Sequence, residues 1–111
     1  MRQPRLPGEV YSSQGPIPVY PTAGLIVRED SYGRVLYPQR EIEIDDSCSS
    51  TVQILTLMHE LVHIALFDSG VTALVSLEQE EIIADAIAQY FGGAIQAGYM
   101  KFTTPAVKGA K

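Results

Sequence analysis

A chain of 111 residues with 46% hydrophobic and 19% charged content is long enough for one domain with a modest core, and its composition is not that of a disordered chain. Thirteen acidic against eight basic residues give a net charge of −5, which argues against sequence-independent binding to nucleic acid or an anionic membrane. The single cysteine, Cys48, excludes an intramolecular disulfide and, with no signal-like N-terminus, sets the expectation of a reducing, cytoplasmic setting.

Residues 1–21 contain Pro4, Pro7, Pro16, Pro18 and Pro21 with Gly8 and Gly15, so no helix can run there. The expectation is an extended arm, ordered only where Ile17-Pro18-Val19-Tyr20 touches a sheet. Residues 22–98 form the expected body of the domain. Leu25-Ile26-Val27 is a short run with strand chemistry, Asp30-Ser31-Tyr32-Gly33 is turn-like, and Arg34-Val35-Leu36-Tyr37 is the expected hairpin partner, ended by Pro38. Glu41-Ile42-Glu43-Ile44-Asp45 alternates strictly, which predicts a strand with isoleucines on the core and acids outward.

After a polar turn over 45–50, Ser50 and Gln53 have the spacing of a capping box, and a helix is expected over 51–67, closed by Asp68-Ser69-Gly70. A second capping box, Ser76 with Gln79, opens a helix expected to reach Tyr90 or Phe91, where Gly92-Gly93 ends or breaks it. The apolar stretch from Ile82 to Met100 is interrupted by Asp85, Gln89 and Gln96, so it reads as core and not as a membrane span. Residues 99–111 form a tail carrying Lys101, Lys108 and Lys111.

The first helix carries both histidines of the chain in His59-Glu60-Leu61-Val62-His63, the H-E-x-x-H spacing of zinc hydrolases. Positions i and i+4 share a helix face about 6 Å apart, so two imidazoles can converge on one metal ion, and Glu60 can serve water at that ion without being a ligand. Ile54-Leu55-Thr56-Leu57-Met58 before the motif and Ile64-Ala65-Leu66-Phe67 after it are apolar on nearly every face. Ionisable groups there are costly without a compensating partner, and a metal is such a partner. A catalytic zinc takes three protein ligands, and with no third histidine the remaining one is a carboxylate or Cys48. Glu78, Glu80 and Glu81 on the second helix are the candidates, although acids in a first turn are also explained by the helix dipole.

Glu81-Ile82-Ile83-Ala84-Asp85 resembles the E-x-x-A-D signature of gluzincins, zinc metallopeptidases whose third ligand is a glutamate one helix downstream of H-E-x-x-H. The resemblance implies Zn²⁺ held by His59, His63 and Glu81, with Asp85 bracing a histidine ligand, and leaves Glu80 as second choice for the ligand. Residues 40–95 also resemble the small metallopeptidase domains of the ImmA/IrrE group, found in phages and mobile elements. This implies an α+β, minimal zincin-like domain: a small antiparallel or mixed sheet of about three strands packed on the H-E-x-x-H helix and a following glutamate helix. Two departures stand out. Val62 replaces the glycine common before the second histidine, and the proline-rich arm replaces a helix that backs the sheet, leaving a flank open to a partner protein or a second copy.

The implied function is hydrolysis of a peptide bond in a protein substrate, with Glu60 as catalytic base and the substrate added as a strand along Glu41–Asp45 if that is a sheet edge. Tyr32, Tyr37, Tyr90 and Tyr99 stand as oxyanion donors with nothing to choose among them. The alternatives are a zinc-stabilised binding module of the same fold without turnover, and hydrolysis of a non-peptide amide. A structural zinc is usually closed by four protein ligands and needs no Glu60, which separates the first alternative from an enzyme.

Overall fold

The computed structural model describes residues 6–97. It is an α+β arrangement in which a mixed four-stranded sheet of order β1-β2-β4-β3 is covered by one long helix, with a second long helix packed on the first. The strands are β1 (Glu9–Ser12), β2 (Gly15–Thr22), β3 (Gly33–Leu36) and β4 (Glu41–Asp45), and the helices are α1 (Leu25–Glu29), α2 (Ser50–Asp68) and α3 (Leu77–Gln96). A single 3₁₀ turn, Val71–Ala73, links α2 to α3.

The proline-rich stretch is not a free arm, because it supplies two of the four strands. The proline positions explain how. β1 and β2 form a hairpin with Val10 opposite Ile17 and Ser12 opposite Gly15. Pro16 and Pro18 have no N–H to donate, so they occupy the alternate positions whose backbone faces away from β1. Val19, in step with Ile17, donates its N–H to the Gly8 carbonyl at 2.9 Å. Beyond Pro18 the strand changes partner and runs parallel to β4, with Val19 opposite Ile42 and Thr22 opposite Asp45.

Leu25-Ile26-Val27 forms a helical turn and not the expected strand, and β3 pairs with β4 instead of with it. The cause lies in β4. Asp45 is buried, and its carboxylate accepts the Ile26 N–H at 2.8 Å, which satisfies an N-terminal amide that nothing local could cap. The same carboxylate accepts the Ser47 N–H at 2.8 Å, and the Ser47 hydroxyl, the Ile26 and Ser47 amides and the Leu25 amide hold its pKa below the ordinary carboxylate range against the opposing effect of burial. Asp45 therefore points inward, unlike Glu41 and Glu43, while Ile42 and Ile44 are fully buried as their alternation predicts.

The core lies between the sheet and α2, where Ile17, Val19, Ile42 and Ile44 meet Leu57 and Ile64. By length and composition α2 could also cross a membrane. In this fold its apolar face is instead the lid of the core. The N-cap of α2 is Ser49, one residue before the expected Ser50, and Ser49 accepts the Val52 N–H at 3.3 Å. The capping box of α3 forms as expected, with Gln79 N–H to Ser76 Oγ at 3.1 Å and Ser76 N–H to Gln79 Oε1 at 2.9 Å. α3 runs unbroken through Gly92-Gly93. Gly92 is a point of close approach, since a Cβ there would collide with Leu55 of α2. The tail expected over 99–111 lies outside the described residues.

Candidate metal centre

α2 and α3 run side by side and present their polar residues to one another at one place. His59 and His63, one turn apart on α2, bring their Nε2 atoms to 3.0 Å. Glu81, just past the first turn of α3, meets both: Oε2 is 3.3 Å from His59 Nε2 and Oε1 is 2.9 Å from His63 Nε2. Among the described residues these three form the one group of acids, histidines and cysteines whose donor atoms all lie within 4.8 Å of one another.

The other ring nitrogens settle what the donors are. His59 Nδ1 is 2.8 Å from Asp85 Oδ1, and His63 Nδ1 is 2.5 Å from Glu80 Oε2. An ionised carboxylate only accepts, so each Nδ1 carries a proton, and in the neutral imidazole each Nε2 then has its lone pair directed into the centre. Two lone-pair nitrogens and a carboxylate facing each other at 2.9 to 3.3 Å repel unless a metal ion or a proton sits among them. Ligands about 2.0–2.2 Å from a tetrahedral ion stand roughly 3.3 Å apart, so the donor set fits a metal ion of that geometry. His59, His63 and Glu81 could hold such an ion.

Asp85 stands against His59 Nδ1, on the side of the ring away from the converging donors. Glu80, the second choice as ligand, is not one of the converging donors. It braces His63, and it is buried where Asp85 is largely exposed. Hydrogen bonding to His63 chiefly lowers the Glu80 pKa against the effect of burial. This role was open to sequence reasoning. Glu80, Ala84 and Ala88 recur at helical spacing and form one buried stripe of α3, and an acid on such a stripe needs a partner.

Glu60 stands next to His59 in a cleft of about 370 Å³, lined also by Ser31, Tyr32, Gly33, Thr56 and Asp85. Burial pushes its carboxyl pKa up, the two imidazoles pull it down, and Glu81 pushes it up again. The net direction is upward, which makes Glu60 a stronger proton acceptor than an ordinary surface glutamate. Of the tyrosines, Tyr32 lines this cleft and Tyr37 packs on Phe67, one turn beyond His63, with ring centroids 5.1 Å apart. Tyr90 is exposed to solvent, and Tyr99 lies outside the described residues. Cys48 sits beside Asp45 in the turn before α2 and is not among the donors. Glu78 stays in the exposed first turn of α3. Compared with models of protein families, with curated proteins and with solved structures, the chain gives no significant match.

Proposed function

We propose that this chain is a small zinc-dependent metallopeptidase with a minimal zincin-like fold of the gluzincin type. The observation that carries the reading is the combination of three converging donors with a fourth acid, Glu60, left free of them in an open cleft. Zinc held by His59, His63 and Glu81 would supply the Lewis acidity that polarises a carbonyl and brings the pKa of water to about 7. Asp85 and Glu80 fix both imidazoles in the tautomer that donates through Nε2. Glu60 takes the proton of the attacking water, holds it on a carboxylate made more basic by burial, and delivers it to the leaving amine.

The substrate path differs from the one expected. β4 is an inner strand between β2 and β3, so it has no free edge for a peptide. The edge beside the cleft is β3, and an extended peptide lying there would pass Glu60 and His59. A second reading, the non-catalytic binding module, is favoured by the exposed apolar side chains Leu74, Leu77, Ile82 and Tyr90 on α3 and just before it. One experiment separates the two: zinc content and digestion of labelled casein by the wild type and by Glu60→Gln. Stoichiometric zinc in both proteins with cleavage only in the wild type supports the enzyme. Equal inactivity with zinc bound in both supports the module.

A further inference from the structure

We propose that Ser31 is a positioning residue that caps the substrate edge of β3 and confines main-chain pairing with a peptide to Val35. The inference takes its ligand class from the peptidase reading, and its own basis is the hydrogen bonding of the edge. Tyr32 is opposite Asp45 and accepts its N–H at 2.8 Å, so Tyr32 belongs to a hydrogen-bonded pair of the antiparallel β3–β4 ladder. Alternation then turns the backbone of Arg34 toward β4 and that of Gly33 and Val35 off the sheet. At Gly33 both outward groups are taken. The Ser31 hydroxyl donates to the Gly33 carbonyl at 2.5 Å, and the Gly33 N–H donates to the same Ser31 oxygen at 3.3 Å.

A single side chain therefore occupies the donor and the acceptor that an added strand would use. Ser31 and Gly33 both line the cleft that holds Glu60 and His59, so the capped position lies on the substrate path. Gly33 itself is pressed onto α2, where a Cβ would come within 2.6 Å of Thr56 Cγ2. That contact keeps the edge at a fixed distance from the motif helix. At Val35, two residues on, the outward N–H and carbonyl have no partner among the described residues and are open to a ligand. Recognition on the Gly33 side of the cleft then falls to side chains and not to strand addition.

The test uses the zinc-loaded, full-length Glu60→Gln protein, ¹⁵N-labelled and titrated with a capped, alternating threonine–valine hexapeptide. The Val35 amide resonance is expected to move and the Gly33 resonance to stay. In Glu60→Gln with Ser31→Ala, both resonances should move and the peptide Kd should fall about tenfold, the worth of one to two net hydrogen bonds. Ser31→Thr, which keeps the hydroxyl, should behave like the serine protein. A Gly33 shift with Ser31 in place, an unchanged Kd in Ser31→Ala, or no response from any β3 amide overturns the proposal. If the hexapeptide binds at Val35 as described and wild-type protein never cleaves it, the peptidase reading fails while the role of Ser31 stands.

Discussion

The two ends of the candidate metal centre are built on one plan and differ in burial. At the inner end His63 leans on Glu80, whose side chain is 9% exposed, while at the outer end His59 leans on Asp85, whose side chain is 69% exposed. Each imidazole is fixed by one carboxylate on Nδ1 and offers Nε2 to the centre. The inner pair is enclosed by the junction of α2, the 3₁₀ turn and α3, so breaking it leaves a ring N–H without water to replace the acid. The outer pair borders the cleft with Glu60, where water can stand in. The difference teaches which half of the site is built into the fold and which half is open to solvent.

The largest effect is expected at the outer end. Glu60→Gln keeps the shape of the side chain but cannot accept a proton, so digestion of labelled casein should drop by at least about 100-fold, the lower bound for a lost general base. Zinc content by elemental analysis and the melting temperature should both match wild type. A parallel loss of zinc would move Glu60 from the chemistry into the metal shell. Next is Glu81→Ala, which removes one of three donors and should weaken zinc binding by more than the 10- to 100-fold typical of a lost bracing partner. Zinc-buffer calorimetry measures it. Full affinity in that variant would mean that Glu80 can turn from His63 to the metal.

The same contrast between local and distant causes decides what the sequence could disclose. The H-E-x-x-H pair, the carboxylate on the next helix and the Ser76–Gln79 cap depend on spacings of three or four residues within a helix, and these are legible directly. α1 was not legible, because its first amides are satisfied by Asp45, nineteen residues downstream of Ile26. The prolines of β2 read as breakers because a proline inside a sheet normally lacks a ladder bond. Here the strand changes partner at its midpoint, and Pro16 and Pro18 fall on the side that has no partner yet. The depth of the two bracing acids was only half visible: the E-x-x-A-D signature pointed to Asp85, whereas Glu80 needed the observation that it shares a stripe with Ala84 and Ala88.

That difference in depth gives a pair of variants of smaller effect. Glu80→Ala should lower zinc affinity by about 100-fold and the melting temperature by roughly 5 °C or more, because the His63 N–H loses its buried acceptor. Asp85→Ala should lower zinc affinity by about 10-fold with a melting temperature within about 1 °C of wild type, since solvent replaces the lost oxygen. Both numbers come from the same calorimetric and thermal scans. Equal penalties in the two variants would erase the distinction between inner and outer ends.

The smallest expected effect is on the pH dependence of stability, and its sign follows from Glu80. The hydrogen bond from His63 holds the Glu80 carboxyl below its ordinary range in the folded chain, whereas in the unfolded chain it titrates in the ordinary carboxylate range. A depressed folded pKa adds stability that is complete above the unfolded value and fades as pH falls through the folded one, because the unfolded chain then binds the proton more readily. Chelator-treated protein should therefore lose melting temperature as the pH is taken from about 5 to about 3. Asp45 and Asp68 are depressed in the same sense, the first by Ser47 and the backbone amides it accepts, the second by the Arg40 guanidinium at 2.6 Å, so part of that slope belongs to the sheet side of the molecule. Glu80→Gln removes only the share of the inner end, and its melting curve should run flatter with pH than wild type. An identical slope in Glu80→Gln would show that the acid response comes from Asp45 and Asp68 alone, and that the inner end of the centre is no more tightly held than the outer.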